Sequence, residues 1–219
     1  MRVSAVFFDR VEAGRRIAGR LEEWRIQDPV VYAIPGGGVA VGGEVARLFD
    51  APFDVVVVET LRAPGDAGLA IGSLVDGEEP ERLLDPEVVR ARGVADAYLR
   101  QETARGLASV RRTARRLRGQ RPGVPVRDRT VFLADDGSAS GTILRAAARG
   151  LRQERAREVV AVLPVVATST LSAIRPEVDM VVWLETAADP QAVAVVYEDF
   201  SPVPEEEMRR LLGVELAVR

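Results

Sequence analysis

The chain alternates short, mostly apolar runs with longer segments in which apolar residues recur at helical spacing. The runs lie at 30–34, 53–58, 130–134, 159–163 and 178–184. Strands that are apolar on both faces are typical of a parallel sheet covered by helices on both sides. The pattern therefore predicts an α/β fold with an open, mostly parallel twisted sheet flanked by helices.

An amphipathic helix is predicted at residues 10–25, before the first of these strands. Asp9 and Glu12 have the spacing of a capping box at its start. A stripe of apolar residues at helical spacing follows. Its members are Val11, Ile17, Leu21 and Trp24. A second helix is predicted from the glycines after Pro35 to Phe49.

Residues 62–68 interrupt this alternation. The segment Arg62-Ala63-Pro64-Gly65-Asp66-Ala67-Gly68 is too rich in breakers for a regular element and too long for a tight turn. Long loops at strand ends often carry function. The composition therefore predicts a mobile loop at this place.

The segment from about Val94 to Arg118 predicts a long helix with one narrow apolar stripe. The stripe consists of Leu99, Thr103, Leu107, Val110, Ala114 and Leu117. Arginines occupy the other faces, namely Arg105, Arg111, Arg112, Arg115, Arg116 and Arg118. A solvated helix face is the favoured interpretation, and a surface that binds RNA or phosphate is the alternative.

The composition excludes several kinds of chemistry. The chain has no Cys, His, Lys or Asn, and all thirty basic residues are Arg. A disulfide, a thiol nucleophile, a Cys/His zinc site, a Ser-His-Asp triad, a Walker A loop and a Schiff base are therefore excluded. Chemistry must rest on carboxylates, arginines, hydroxyls, backbone amides and a metal brought by a ligand.

Length and charge set further bounds. The 219 residues suit one compact domain, or one domain with a small appendage. No apolar run reaches the roughly 20 residues of a membrane span, and no signal-peptide pattern is visible, so we expect no membrane association and a cytoplasmic location. The formal net charge of -3 argues against general attraction to nucleic acid.

The strongest functional signal is the loop at 135–142, which joins the apolar run 130–134 to a predicted helix at 143–151. In an open α/β sheet, ligands bind beyond the carboxyl ends of the strands. Backbone amides and the positive end of a helix dipole attract phosphate there. The position of this loop therefore predicts a phosphate site.

The side chains of the loop add to this prediction. Ser138, Ser140 and Thr142 bring hydroxyl donors, and Asp135 and Asp136 can accept hydrogen bonds from vicinal sugar hydroxyls. Phosphate and diol together describe a ribose 5-phosphate. The alternative is a strand end with two solvated aspartates and a Ser/Gly turn that caps a helix.

Two other motifs do not fit this loop. The string Gly137-Ser138-Ala139-Ser140-Gly141 is not GxSxG, because Ala139 stands at its centre and the chain has no histidine to activate a serine. The spacing of its glycines also differs from GxGxxG.

The loop resembles the phosphoribosyl pyrophosphate signature of type I phosphoribosyltransferases, in which two acidic residues and a small-residue loop ending in Gly-Thr follow an apolar strand. The whole chain is similar to a subgroup of bacterial phosphoribosyltransferase-like proteins with unassigned substrates. Three further landmarks carry this likeness: Pro35-Gly36-Gly37-Gly38-Val39, Ala63-Pro64-Gly65 and Tyr197-Glu198-Asp199-Phe200. With the loop they span nearly the full length, in the order of the subgroup.

The resemblance implies one domain over 1–219 with the type I phosphoribosyltransferase fold, and a small hood formed by about 62–120 and 185–219. It implies displacement of pyrophosphate from C1 of phosphoribosyl pyrophosphate by a nitrogenous acceptor, with Mg²⁺ carried by phosphoribosyl pyrophosphate. Positioning and charge neutralisation provide most of the catalysis in such chemistry. The partner is then a small phosphoribosyl ligand, and a homodimer is compatible with the sequence.

The resemblance also implies roles for individual residues. Asp135 and Asp136 act on the sugar, and Arg62 joins them as a catalytic candidate. The residues assigned to substrate binding are Gly36, Gly37, Gly38, Gly137, Ser138, Ala139, Ser140, Gly141, Thr142 and Tyr197. Asp199 is assigned to the metal, with capping of the following turn as the alternative. For Tyr197 the alternative is packing in the core or the hood.

Two departures from the subgroup concern the leaving group. Gly36 replaces an arginine of the glycine loop, and Glu59-Thr60 replaces an Arg-Lys pair, which leaves Arg62 as the nearest substitute. Charge-assisted hydrogen bonds to phosphate contribute about 1.5–3 kcal/mol each, so their loss would lower a rate by orders of magnitude. We therefore predict a Mg²⁺-dependent transferase, with a catalytically impaired regulatory protein that binds phosphoribosyl pyrophosphate or a nucleotide as the alternative.

Overall fold

The computed structural model describes residues 6–22, 28–77, 80–188 and 190–214. Its α-helices are α1 (Arg10–Glu22), α2 (Gly37–Phe49), α3 (Pro86–Ala91), α4 (Asp96–Arg118), α5 (Thr142–Gln153), α6 (Thr168–Ile174) and α7 (Glu205–Leu211). Its strands are β1 (Val30–Ala33), β2 (Phe53–Val55), β3 (Val58–Ala63), β4 (Asp66–Val75), β5 (Glu81–Leu84), β6 (Thr130–Ala134), β7 (Glu158–Ala167) and β8 (Met180–Ala187). Short 3₁₀ helices lie at Arg175–Glu177 and Pro190–Val196.

A five-stranded parallel sheet with the order β2-β1-β6-β7-β8 forms the centre of the fold. Each of the five predicted strands is present, so the predicted fold class is confirmed. From β1 the chain first adds β2 on one side and later adds β6 on the other. The strand order thus reverses between β1 and β6, and ligands of open α/β sheets bind beside such a switch point.

Helices cover both faces of this sheet. Ile17 and Leu21 of α1 and Val45 of α2 are fully buried against one face. Leu144 and Ala147 of α5 are buried against the other. The alternation along each strand therefore supplies two apolar layers, as expected for a sheet that is covered on both sides.

The start of α1 agrees with its predicted capping box. The Asp9 carboxylate accepts the Glu12 backbone N–H at 2.8 Å, and the Glu12 carboxylate accepts the Phe8 N–H at 2.6 Å. The described helix ends at Glu22. Trp24, the last member of its predicted stripe, lies outside the described residues.

A second, antiparallel sheet with the order β3-β4-β5 follows β2. The predicted mobile loop at 62–68 is wrong, because this segment forms the end of a β-hairpin. Only Pro64 and Gly65 make the turn, with Gly65 at φ +72°, and Ala63 pairs with Asp66 across it. A left-handed residue at the turn suits glycine, while the other residues of the segment continue the two strands.

The predicted long helix is confirmed as α4, which packs on the antiparallel sheet. Val110 and Leu117 of its stripe are buried in a core that also holds Leu61 of β3 and Ile71 of β4. The action of these elements as a hood stays a prediction, as does a homodimer. Within the described ranges, no helix has both the length and the apolar composition to cross a membrane.

Arg118, the last residue of α4, connects the two sheets through a buried ion cluster. Its Nε donates to Asp54 Oδ1 of β2 at 2.7 Å, and its Nη1 pairs with Asp76 beyond β4. Asp54 is fully buried and also accepts the Val124 backbone N–H at 3.0 Å. Three parts of the chain are therefore held around one guanidinium.

Candidate functional site

The loops that follow β1 and β6 meet at the switch point of the parallel sheet. A Cβ atom on Gly38 would lie 3.0 Å from the Ala134 carbonyl oxygen and 3.1 Å from Asp135 Cα, so the two backbones are in contact there. The helices α2 and α5 both begin at this edge, and neither has an acidic residue in its first turn. Two helix N-termini thus favour an anion at the same place.

The second half of the 135–142 loop has the geometry of a phosphate site. Gly141 adopts a left-handed conformation with φ +72° at the N-cap of α5. In the described part of the chain, the N–H groups of residues 139–141 have no protein acceptor. The hydroxyls of Ser140 and Thr142 are exposed and lie 3.2 Å apart. These amides and the exposed hydroxyls therefore lie together in one short stretch of the loop.

The first half of the loop is anchored to β7. The Ser138 N–H donates to the Val165 carbonyl at 3.2 Å, and the Ser138 carbonyl accepts from Ala167 at 3.1 Å. Ser138 is buried, and a side chain on Gly137 would clash with Val165. The predicted substrate contacts of these two residues need correction, because their backbone and packing fix the loop on the sheet, whereas Ala139, Ser140 and Thr142 are exposed.

Asp135 and Asp136 stand at the end of β6 as predicted. Asp135 Oδ1 accepts the Asp136 backbone N–H at 3.0 Å. Burial raises the pKa of the Asp135 carboxyl well above its usual range, and the neighbouring Asp136 charge raises it further. The two side chains therefore differ, with Asp135 enclosed beside another carboxylate and Asp136 bound to a cation.

That cation is Arg10, which the sequence analysis did not identify. Its Nε donates to Asp136 Oδ2 at 2.6 Å, and its Nη1 donates to the Ser201 carbonyl at 2.8 Å. The guanidinium carbon lies 3.8 Å from the centre of the Phe200 ring. Acidic residues are favoured in the first turn of a helix, so an arginine at the first position of α1 was a signal that it has a partner elsewhere.

The ion pair between Arg10 and Asp136 lies against the glycine loop. A Cβ atom on Gly37 would overlap both the Asp136 carboxylate and the Arg10 guanidinium. Gly37 is therefore required for the pair to reach this position. The pair also touches the first turn of α2, which Gly37 opens.

The glycine loop presents its backbone in a conformation that only glycine adopts readily. Gly36 has φ +108° and ψ -133°, outside the range of other L-residues. Its N–H donates to Met208 Sδ of α7 at 3.2 Å. An arginine at this position, as in the similar subgroup, would need a different backbone.

Tyr197 supports Asp136 from behind, which corrects its predicted contact with substrate. Its hydroxyl donates to the Asp136 carbonyl, and its ring is buried between Phe7 and Phe200 at centroid distances of 5.4 and 5.1 Å. Burial raises the pKa of the Tyr197 hydroxyl. This packing in an aromatic cluster agrees with the alternative interpretation of Tyr197 as a core residue.

Asp199 follows its alternative interpretation, since its exposed carboxylate accepts the Ser201 backbone N–H at 2.8 Å and caps a turn. Hydrogen bonding to Ser201 lowers the pKa of Asp199. In the part of the chain that the structure describes, no three His, Cys, Asp or Glu residues are grouped as ligands for a metal ion. A metal role for Asp199 stays a prediction.

Arg62 lies on the hairpin and packs toward α4. Its Nη1 donates to the Ala67 carbonyl at 2.6 Å, and its backbone N–H donates to Glu102 at 3.0 Å. Glu59, the acidic departure from the subgroup, is paired with Arg105 at 3.0 Å. The negative charge at this position is therefore neutralised within the protein, and the structure does not bring Arg62 into contact with the acidic pair.

A family model for the phosphoribosyl transferase domain matches residues 8–198. Two Mycobacterium tuberculosis proteins, from strains CDC 1551 and H37Rv and both provisionally named phosphoribosyl transferases, are 34% identical to the chain over 203 residues. The matches cover 93% of this chain and 45% of each relative. The chain thus spans about half the length of these curated relatives.

Solved structures give the same fold. A protein from Thermus thermophilus matches with a TM-score of 0.82 and 36% identity, over 94% of this chain and 97% of that one. A hypothetical protein from Neisseria gonorrhoeae, crystallised with bound ppGpp, matches with a TM-score of 0.50 and 12% identity, over 97% of each chain. The second likeness concerns the fold alone.

Proposed function

The chain belongs to the phosphoribosyl transferase family, and from this premise we propose that it binds phosphoribosyl pyrophosphate across its two loops and transfers the phosphoribosyl group to a nitrogenous acceptor. The observation that carries the proposal is the contact between Gly38 and Asp135 at the switch point. It brings two anion-binding helix N-termini and a pair of carboxylates to one place. A sugar with a phosphate at each end fits that combination.

The 5-phosphate is assigned to residues 139–142. The N–H groups of residues 139–141, for which the described chain offers no acceptor, and the exposed hydroxyls of Ser140 and Thr142 match the oxygens of a phosphate monoester. Asp135 and Asp136 then lie beside the ribose, where carboxylates accept hydrogen bonds from its vicinal hydroxyls. The pyrophosphate extends from C1 toward the glycine loop at 36–38.

In the proposed reaction, the bond between C1 and the pyrophosphate oxygen breaks and a bond from C1 to the acceptor nitrogen forms. Pyrophosphate leaves with the electron pair, and the acceptor nitrogen gives up a proton. Mg²⁺ enters as part of the substrate, on the pyrophosphate, since oxygen-rich diphosphates are its preferred ligands. The protein contributes position and fixed charge, which are large terms in such chemistry.

Arg62 is proposed to act from the hairpin. Its guanidinium is exposed and is fixed by one hydrogen bond to Ala67. A movement of the hairpin toward the loops would bring this charge to the leaving pyrophosphate. Glu59 does not oppose that approach, because Arg105 and Ser109 already bind its carboxylate.

Calorimetric titration of the chain tests the proposal. Phosphoribosyl pyrophosphate, ribose 5-phosphate and nucleoside monophosphates are titrated with and without Mg²⁺, and pyrophosphate release is followed with a panel of bases. We expect phosphoribosyl pyrophosphate with Mg²⁺ to bind most tightly and one base to support release. Tight binding without release from any base would favour the regulatory alternative, and no binding of any phosphorylated sugar would refute both.

A further inference from the structure

We propose that Arg10 supplies the pyrophosphate subsite with the guanidinium that the glycine loop lacks at Gly36. The inference rests on the proposed function and names a residue of α1 as part of the same site. The Arg10 side chain is 10% exposed and lies in contact with Gly37, the first residue of α2.

The guanidinium is held in one orientation. Asp136 accepts from Nε, the Ser201 carbonyl accepts from Nη1, and the Phe200 ring lies 3.8 Å away. An arginine has five N–H donors in a fixed plane. Two of them are used by these acceptors, and among the described residues no acceptor is recorded for the other three. The group is therefore rigid and still has donors for a ligand.

Arg10 also lies at the edge of the glycine loop. A Cβ on Gly37 would overlap Arg10 Nε and the Asp136 carboxylate, so the base of the guanidinium lies directly on this backbone. A pyrophosphate bound through the amides of Gly37 and Gly38 would meet the N-terminus of α2 and the Arg10 side chain together. Arginine matches phosphate oxygens in a bidentate manner, which a backbone amide cannot do.

Charge balance gives a second reason for this role. Asp135 and Asp136 are adjacent carboxylates, and a pyrophosphate beside them would bring further negative charge. Arg10 is the cation in direct contact with this pair in the described structure. It offsets the Asp136 charge and so lowers the repulsion that a pyrophosphate would meet.

The experiment compares two ligands that differ at the pyrophosphate. Phosphoribosyl pyrophosphate with Mg²⁺ and ribose 5-phosphate are titrated into the wild-type chain and into Arg10→Gln, Arg10→Lys and Arg15→Gln. Arg15 is the matched control, because it lies on the same helix and forms an exposed pair with Glu44 at 3.2 Å.

We expect Arg10→Gln to weaken phosphoribosyl pyrophosphate by about 10-fold to 100-fold, the range of a charge-assisted contact to phosphate. Ribose 5-phosphate should lose clearly less affinity, since it has no pyrophosphate and is affected only through Asp136 beside the ribose. Arg10→Lys keeps the positive charge but loses the planar pair of N–H donors, so its affinity for phosphoribosyl pyrophosphate should lie between those of the wild type and Arg10→Gln. Arg15→Gln should have the affinities of the wild type.

Equal losses for both ligands in Arg10→Gln would overturn the inference, because they would indicate a general collapse of the site. So would an unchanged affinity for phosphoribosyl pyrophosphate. Should Arg10→Gln fail to fold, Arg10→Lys decides, and a wild-type ratio of the two affinities in that variant refutes the role. A wild-type chain that binds ribose 5-phosphate, but phosphoribosyl pyrophosphate no more tightly, refutes it too. Binding of neither ligand by the wild type refutes the proposed function itself.

Discussion

Arg10 and Asp136 are 126 positions apart in the sequence, and their side chains form an ion pair with an Nε to Oδ2 distance of 2.6 Å. The pair closes the space between the start of α1 and the end of β6. It lies on Gly37 and is supported by Tyr197, whose hydroxyl donates to the Asp136 carbonyl. Arg10, Gly37 and Tyr197, from three distant parts of the chain, thus fix Asp136 at the candidate site.

Replacement of Gly37 by alanine should remove this arrangement with little effect on the rest of the fold. The new Cβ would overlap the Asp136 carboxylate and the Arg10 guanidinium, so the pair must separate. We expect affinity for phosphoribosyl pyrophosphate to fall at least about tenfold, as for the loss of one charge-assisted contact. Calorimetric titration measures the affinity.

Gly43→Ala is the control for this change, because Gly43 lies on the same helix and a Cβ there would make ordinary contact with Leu211 at 3.5 Å. Alanine favours a helix over glycine by about 1 kcal/mol. The control should therefore keep its affinity and unfold at a slightly higher temperature. Equal affinities of the two variants would show that the pair does not contribute to binding.

Asp135→Asn should stabilise the fold at neutral pH while it weakens ligand binding. Burial raises the pKa of Asp135 above its ordinary value of 3.8. The folded chain therefore keeps this proton at pH values where the unfolded chain has lost it, and stability falls as the pH rises from about 4 through the raised pKa. The asparagine variant has no carboxyl at this position, so its stability does not fall in this way as the pH rises.

Thermal unfolding at pH 5 and pH 7.5 checks the prediction for Asp135. The melting temperature of the variant should exceed that of the wild type by more at pH 7.5 than at pH 5. Phosphoribosyl pyrophosphate should bind the variant more weakly, because an amide replaces a carboxylate acceptor. A lower melting temperature at pH 7.5 would mean that the Asp135 charge is stabilised by the fold.

Arg118→Met should destabilise the protein strongly. The change leaves the fully buried Asp54 and the neighbouring Asp76 without their cation. Removal of one partner from a buried ion pair costs about 3 to 5 kcal/mol of the free energy of unfolding. Urea denaturation at pH 7.5 measures this free energy. Arg115→Met is the control, because Arg115 is exposed on the same helix, and its free energy of unfolding should stay within about 0.5 kcal/mol of the wild type.

Acid should reduce the difference between Arg118→Met and the wild type. Burial raises the pKa of Asp76, and loss of the guanidinium removes the main opposing charge. Protonation then relieves the unpaired Asp76 carboxyl as the pH falls below its raised pKa. A difference that stays constant from pH 7.5 to pH 4.5 would contradict the electrostatic cause.

Glu102→Gln should loosen the hairpin that carries Arg62. The Glu102 carboxylate accepts both the Arg62 backbone N–H and the Arg105 guanidinium. The glutamine side chain has one neutral oxygen acceptor, whereas the Glu102 carboxylate has two charged ones. We therefore expect hydrogen exchange of the Arg62 backbone N–H to accelerate about tenfold. Exposed Glu87 of α3 is the control, since Glu87→Gln should leave the exchange unchanged.

Local patterns were sufficient to predict the parallel sheet and the phosphate loop. Each strand of that sheet is a mostly apolar run, the three central strands are buried almost throughout, and the loop at 135–142 follows one of them directly. The hairpin was missed because Pro64 and Gly65 form a tight turn, while the neighbouring residues belong to strands. Of the turn-forming residues in this segment, only Pro64 and Gly65 lie in the turn.

The role of Arg10 could not be predicted from local sequence, because its partners Asp136, Phe200 and Ser201 are all distant in the chain. Tyr197 shows the same limit. Its motif predicted a contact with substrate, and the three-dimensional packing with Phe7 decides that it supports the backbone instead. When a site is formed by residues that are distant in the chain, their roles can be assigned only after the three-dimensional fold is known.

The clamp around Arg10 also sets an order of events during biosynthesis. Asp136 is made 126 residues after Arg10, and Ser201 follows 65 residues after Asp136. At about 5–20 residues per second, roughly 10 to 40 seconds separate the synthesis of Arg10 from that of Ser201. The loop at 135–142 and β7, on which it rests, are translated before the last acceptor of Arg10. The residues of the phosphate loop are therefore available before the contacts of the Arg10 guanidinium can be complete.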